Sequence, residues 1–215
     1  MPETTSHLIR GRAAALRIEN LDTDQIMPKQ FLRGIDKAGL KEGLLYDLRF
    51  DGAGQPRPGF VLNRPEHAAT SILVGGANFG CGSSREHAVW GLQQYGIRAV
   101  IAPSFGEIFY SNAMNNRLLL VMLPPAQVAA LMGDAEDPAG GELTIDLQAQ
   151  TVSSATVQGA RFELSERHRR MVLEGLDVIG LTLTHQREIE AFAARHWARQ
   201  PWLKDVAAGA RARAR

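Results

Sequence analysis

The sequence predicts an α/β fold that combines parallel and antiparallel strands. Short apolar runs alternate with helical patterns between residues 71 and 132, which is typical of parallel strands joined by crossover helices. Residues 142–164 change to a period-two alternation, which predicts two or three antiparallel strands. The composition, with 45% hydrophobic and 22% charged residues among 215, is that of a globular protein with a buried core.

The predicted elements follow one another along the chain after a short first strand. A strand at Ala13–Ile18 leads into a polar turn at Asn20–Asp24. The segment from Pro28 to Pro65 is irregular and rich in glycine and proline, which indicates a long, mobile or functional loop. The remaining elements are expected as a strand at 71–74, a helix at 84–95, a strand at 98–102, a helix at 104–116, a strand at 118–123, a helix at 125–132, a helix at 166–174 and a helix that starts near 184.

The net charge, the length of the apolar runs and the number of cysteines argue against several classes of protein. A net charge of +1 gives no reason to expect a nucleic-acid or membrane partner, and no apolar run reaches the roughly 20 residues that span a bilayer. The single cysteine, Cys81, cannot form an internal disulfide, which fits a reducing cytoplasm. We therefore expect a cytoplasmic protein with one domain over residues 1–205 and a basic, disordered tail over residues 206–215.

The most informative stretch is ILVGGANFGCGSSREHAVWGL, residues 72–92. Its glycines allow peptide N–H groups to face a ligand closely, and the helix that follows begins with unpaired N–H groups that favour an anion. Arg85 adds a guanidinium suited to a carboxylate or phosphate. These residues predict an anion-binding site beside two hydroxyls, Ser83 and Ser84.

A purely structural interpretation fits the same residues. Ser83 and Glu86 have the spacing of a capping box, in which both side chains satisfy N–H groups at the start of a helix. The stretch matches neither G-x-S-x-G nor G-x-G-x-x-G, because Arg85 stands in place of the last glycine. No histidine pair has ligand spacing on one helix face, and Cys81 has no cysteine partner. Spacing alone therefore favours the cap over a catalytic serine.

Four segments in order resemble one known family. The segment NFGCGSSREHA resembles the loop of the swivelling domain of aconitase-type hydro-lyases, and it is accompanied by NLDTDQIMPKQFL, IAPSFGEIFYSNAMNN and EGLDVIGLTL. Together they resemble the small-subunit family of bacterial 3-isopropylmalate dehydratases over nearly the whole chain. The resemblance implies a three-layer β/β/α swivelling fold, with residues 28–65 as a substrate loop.

The resemblance also implies roles for individual residues. Ser83 matches the serine that acts as the catalytic base, and Ser84 and Arg85 match residues that bind substrate and stabilise an enolate-like intermediate. Asp24 matches a site aspartate, and Arg33 falls in the segment that contacts the variable side chain of the substrate. The implied reaction interconverts 2- and 3-isopropylmalate through 2-isopropylmaleate, in leucine biosynthesis.

The implied reaction needs a Lewis acid to expel hydroxide, for which this chain has no ligand set. The resemblance implies that a [4Fe–4S] cluster lies on a separate large subunit, with no cofactor or metal bound by this chain. Two alternatives stay open. The first is a small subunit that acts on another hydroxy-diacid (citraconate, dimethylmalate or homoaconitate). The second is a non-catalytic anion-binding module.

Overall fold

One mixed β-sheet organises the protein. The computed structural model describes residues 7–32, 39–83, 85–138 and 140–213, and their strands form a seven-stranded sheet in the order β4-β3-β2-β1-β5-β6-β7. The first four strands pair in parallel, and the last three pair antiparallel. The strands are β1 (Leu8–Leu16), β2 (Thr70–Gly75), β3 (Ala99–Ala102), β4 (Leu119–Met122), β5 (Glu142–Asp146), β6 (Thr151–Ser153) and β7 (Ala160–Arg161). The predicted α/β class with mixed strands is confirmed.

Strand β1 joins the parallel and antiparallel parts of the sheet. Its first half, Leu8–Arg12, pairs with β5, and its second half, from Arg12 to Leu16, pairs with β2 after an irregularity at Arg12/Ala13. The sequence places this strand at Ala13–Ile18, which is wrong at both ends. Apart from Leu8 and Ile9, the first half consists of arginine and glycine and shows no alternating apolar pattern, but backbone pairing to β5 does not require one.

The helices cover the parallel part of the sheet. Both β2 and β3 are buried on both faces, as expected for parallel strands between helices. Helix α6 packs against β1 and β2, and α4 packs against α5 and α2. In residues 7–177 the helices are α1 (Thr23–Ile26), α2 (Leu40–Gly43), α3 (Tyr46–Arg49), α4 (Glu86–Tyr95), α5 (Glu107–Asn115), α6 (Pro125–Glu136) and α7 (Glu166–Leu173).

The segment between Pro28 and Pro65 contains short helices rather than a continuous irregular loop. Besides α2 and α3, it forms 3₁₀ turns at Lys29–Phe31 and Val61–Asn63. Four leucines anchor it in the core (Leu40, Leu44, Leu45 and Leu62). Three aromatic rings also pack in series, with centroids 5.0 Å apart for Phe31 and Tyr46 and 4.7 Å apart for Tyr46 and Phe50. Its mobility stays a prediction.

The chain divides into two compact units, Met1–Asp177 and Val178–Arg215. The second unit contains α8 (Val178–Leu183), α9 (Gln186–Arg199) and α10 (Val206–Arg213). Helix α10 lies where the sequence predicts a disordered tail, and its alanines and arginines are strong helix formers. The extent of the swivelling domain, placed at residues 1–205, stays a prediction. No helix of the described residues is both long and apolar enough to cross a bilayer.

We expect the free energy of unfolding to fall as the pH drops below about 6.5, the ordinary pKa of histidine. His67 is buried, and burial lowers its pKa, with the positive charge of Arg12 acting in the same direction and the negative charge of Glu66 opposing both. Burial also lowers the pKa of His168. Below about pH 6.5 these two histidines are protonated in the unfolded chain but stay neutral in the folded chain. The free energy of unfolding therefore decreases as the pH falls. Thermal unfolding between pH 7.5 and 5.5 measures this loss.

The variant His67→Gln tests the source of that loss. Its melting temperature should depend less steeply on pH than that of the wild type, because one of the two shifted histidines is gone. Equal slopes for the two proteins between pH 7.5 and 5.5 would exclude His67 as a contributor.

Candidate active site

Three chain segments meet at one edge of the sheet. Because β1, β2 and β3 are parallel, the segments that follow them leave from the same edge, where α/β proteins bind ligands. The middle segment, residues 76–85, is called the site loop here. It lies between residues 20–24, which follow β1, and residues 103–106, which follow β3.

On the β1 side the site loop is held mainly by peptide groups. The Gly80 N–H donates to the Leu21 carbonyl at 2.7 Å, and the Thr23 N–H donates to the Cys81 carbonyl at 2.9 Å. The Thr23 hydroxyl donates to the Ser83 carbonyl at 2.6 Å. The pairing of β1 with β2 thus continues beyond the strand ends and fixes the backbone at Ser83.

On the β3 side the contact is equally close. The Phe79 N–H donates to the Ser104 carbonyl at 3.1 Å, and the Gly106 N–H donates to the Phe79 carbonyl at 2.9 Å. The Asn78 N–H donates to the Ser104 hydroxyl at 2.9 Å. A Cβ atom at Gly106 would lie 2.5 Å from the Gly80 carbonyl oxygen, so only glycine allows this approach.

The backbone of the site loop does not support the capping-box interpretation of Ser83. Helix α4 starts at Glu86 with Arg85 as its N-cap, and no side chain caps it. Ser83 is exposed and lies before the cap, because the loop continues for two residues more than the spacing predicts. A capping box is present instead at α1, between Asp22 and Gln25, whose D-x-x-Q spacing is the missed signal.

Two of the predicted site residues, Arg85 and Asp24, form an ion pair. An Arg85 Nη2 to Asp24 Oδ1 distance of 2.9 Å joins them, with the arginine side chain 22% exposed. The other terminal nitrogen, Nη1, is buried without a hydrogen-bond partner among the described residues. Asp24 thus orients the guanidinium and leaves half of its fork for another acceptor.

A side-chain network that the sequence analysis missed positions the start of α4. The Trp90 indole N–H donates to Asn116 Oδ1 at 3.0 Å, and Asn116 Nδ2 donates to Glu86 Oε1 at 2.6 Å. Gln93 Nε2 donates to the Asn116 carbonyl at 2.6 Å. Asn116 ends α5, so the network ties both helices together. Asn116 lies within the segment IAPSFGEIFYSNAMNN, but spacing gives no sign of its pairing with α4.

The structure describes some of the other residues singled out in the sequence and not others. Ser84 and Arg33 lie outside the described residues, so their roles stay predictions. Cys81 is a free thiol whose Sγ lies 3.3 Å from the Asn20 carbonyl oxygen. The described part of the chain brings together no group of three or more histidine, cysteine, aspartate or glutamate side chains that could hold a metal ion.

Comparison with known proteins identifies the family. The model of the aconitase C-terminal domain matches residues 6–126, and that of the C-terminal domain of the 3-isopropylmalate dehydratase small subunit matches residues 179–206. The 3-isopropylmalate dehydratase small subunit 1 of Chromobacterium violaceum is 68% identical over 93% of this chain and 93% of its own length. This chain belongs to the 3-isopropylmalate dehydratase small-subunit family.

Further relatives agree with this membership. A model described as LeuD_N matches residues 129–166, and the 3-isopropylmalate dehydratase small subunit of Phenylobacterium zucineum is 49% identical over 90% of this chain and 95% of its own length. A crystal structure of 3-isopropylmalate dehydratase from Methanocaldococcus jannaschii superposes with a TM-score of 0.62 at 30% identity, covering 86% of this chain and 98% of that one. The resemblance drawn from four motifs is confirmed.

We expect Gly106→Ala to lower the free energy of unfolding by about 1–3 kcal/mol and to reduce catalytic activity. The new methyl group would meet backbone atoms of Gly80 and Cys81 at 2.5 and 3.0 Å, so the site loop must shift. Chemical denaturation and a turnover assay of the assembled enzyme measure the two effects.

The matched control is Gly133→Ala in α6, where a Cβ atom meets nothing within 4 Å. This variant should be as stable as the wild type or more so, because alanine favours helix. If Gly106→Ala is as stable and as active as Gly133→Ala, the close approach of the two segments is not required.

Proposed function

We propose that this chain is the small subunit of a 3-isopropylmalate dehydratase of leucine biosynthesis. The assembled enzyme interconverts 2-isopropylmalate and 3-isopropylmalate by dehydration to 2-isopropylmaleate and rehydration. The observation that carries the proposal is the guanidinium of Arg85, which pairs with Asp24 through one terminal nitrogen, while the other is buried and has no hydrogen-bond partner among the residues that the structure describes. It lies two residues from an exposed serine, in a family of hydro-lyases.

The role of Arg85 follows from its unpaired nitrogen. A buried donor without an acceptor costs about 1–3 kcal/mol, and a carboxylate oxygen of the substrate removes that cost. The pairing with Asp24 fixes the plane of the guanidinium before substrate binds, so little side-chain entropy is lost on binding. The same cation then stabilises the charge that develops on the carboxylate when the neighbouring carbon loses its proton.

Ser83 is proposed to remove that proton. A serine hydroxyl is a poor base in water, and it acts as one only where its alkoxide is stabilised. Ser83 precedes the start of α4 by three residues, and the positive end of the helix dipole and the Arg85 charge both favour an alkoxide there. The Thr23 hydroxyl holds its carbonyl, which fixes the backbone from which the base extends. Ser84 and Arg33 are proposed to bind the rest of the substrate.

The site on this chain is proposed to be one half of the active site. Departure of hydroxide calls for a Lewis acid, and the described residues of this chain do not provide a ligand set that fits an iron–sulfur cluster. We therefore assign a [4Fe–4S] cluster to a separate large subunit. The assembled enzyme is proposed to lie in the cytoplasm. Membership in a family of small subunits supports the existence of that partner.

We expect Ser83→Ala to abolish turnover while leaving the complex with the large subunit intact. The methyl group cannot accept the substrate proton, and the loop backbone needs no side chain at this position. The test is anaerobic reconstitution with an iron–sulfur large subunit, followed by absorbance of 2-isopropylmaleate and by size-exclusion chromatography of the complex.

Ser111→Ala, at an exposed position of α5, is the matched control and should turn over like the wild type. Normal turnover by Ser83→Ala would overturn the role of Ser83. No turnover of 2-isopropylmalate by the wild-type complex, with turnover of another hydroxy-diacid, would overturn the proposed substrate.

We expect Arg85→Lys to raise KM for 2-isopropylmalate roughly tenfold or more, since a charge-assisted hydrogen bond is worth about 1.5–3 kcal/mol. The ammonium group can keep the ion pair with Asp24 but cannot present a second donor in a fixed plane. Steady-state kinetics of the reconstituted enzyme measure the change, with Arg98→Lys at an exposed position as the control. An unchanged KM in Arg85→Lys would contradict the proposed carboxylate contact.

A further inference from the structure

The second compact unit exposes most of the large apolar side chains found at the surface. Ten such side chains are strongly exposed among the described residues, and eight of them belong to residues 178–215. The eight are Ile179, Leu183, Ile189, Phe192, Trp197, Trp202, Leu203 and Val206. We call this set the C-terminal apolar face.

The area of the C-terminal apolar face matches that of a protein interface. The exposed fractions run from 37% for Trp197 to 70% for Trp202. At roughly 150–200 Å² per large side chain, the eight side chains together expose roughly 650–850 Å². One partner in a stable interface contributes about 800 Å² in all, so covering most of these side chains would supply the area that such an interface needs.

Helix α9 arranges part of this face as a stripe. Ile189, Phe192, His196 and Trp197 follow the i, i+3, i+7, i+8 spacing of one helix side. The ring of His196 contacts the two other aromatic rings of the stripe. Its centroid lies 5.6 Å from that of Phe192 and 4.7 Å from that of Trp197. Aromatic side chains that are already held in place lose little entropy when a partner covers them.

The charges beside the stripe specify the chemistry of the partner. A pocket of 270 Å³ is lined by Phe192, Arg195, His196, Arg199 and Gln200, so two arginines share this pocket with the exposed Phe192. The whole unit, residues 178–215, contains seven lysines and arginines and three acidic residues. The complementary surface therefore carries apolar side chains next to carboxylates, which pair with arginine in bidentate fashion.

We propose that the C-terminal apolar face docks onto the large subunit, against an apolar surface edged by aspartate or glutamate side chains. This inference rests on the proposed function, which requires such a partner. Tryptophan, phenylalanine and arginine are the residue types that dominate binding energy in protein interfaces. A membrane is the weaker fit, because membership in a family of small subunits supports a protein partner, and vesicle binding is therefore one of the outcomes that the test distinguishes.

The test compares Phe192→Asp with Ala191→Asp, which places the same charge at an exposed position of α9 away from the stripe. Affinity for the cluster-loaded large subunit is measured by calorimetry under anaerobic conditions. Phe192→Asp should weaken binding at least tenfold and Ala191→Asp by less than about threefold. Both variants should keep the wild-type melting temperature within about 2 °C, because the side chains are exposed.

The outcomes separate this inference from the proposed function. If the wild type neither binds a large subunit nor gains activity from it, both are overturned. If the wild type binds and turns over 2-isopropylmalate but Phe192→Asp binds equally well, only the docking face is overturned.

Three further results would also overturn the docking face alone. One is a dimer of the lone chain that Phe192→Asp abolishes while large-subunit binding is unchanged. The second is pelleting with phosphatidylserine vesicles that Phe192→Asp abolishes under the same condition. The third is a melting temperature lowered by more than about 5 °C in Phe192→Asp alone, which would show that the face is covered by this chain itself.

Discussion

The site depends on the continuation of parallel strand pairing beyond the strand ends. Peptide hydrogen bonds hold Gly80 and Cys81 to the segment after β1, and Phe79 to the segment after β3. A loop with several glycines has a large conformational entropy when free, and these bonds on both sides restrict it to one path. Ser83 and the start of α4 are therefore fixed by the sheet, and the ion pair between Asp24 and Arg85 forms across an edge that is already ordered.

Much of the fold can be predicted from sequence because its central strands are continuous apolar runs. The sequence places strands β2, β3 and β4 and helices α4 to α7 within a few residues, since period and turn signals coincide there. It places strand β1 too late, because the pairing with β5 leaves no apolar pattern. It misses the short helices between Pro28 and Pro65, because their stability comes from leucines buried against the rest of the chain and not from local propensity.

The site is predictable in its residue types and only partly in its arrangement. The glycine-rich turn and Arg85 indicate an anion site by local physics alone, but the resemblance is needed to prefer a catalytic serine over a cap. The partnership of Arg85 with Asp24 joins residues far apart in the chain, which spacing cannot reveal. The capping-box interpretation of Ser83 and Glu86 fails because α4 starts at Glu86 with Arg85 as its N-cap, and Glu86 instead accepts a hydrogen bond from Asn116, at the end of the next helix.

The backbone clamp on the site loop has a consequence for which changes the chain tolerates. Every residue has a peptide carbonyl and every residue except proline has a peptide N–H, so many side chains in the three segments can be exchanged without moving the loop. Insertion or deletion of a single residue is different, because a one-residue slip in an extended pairing turns each following side chain to the opposite side. Length, more than side-chain identity, is thus the property of these three segments that keeps Ser83 and Arg85 on the same side of the loop.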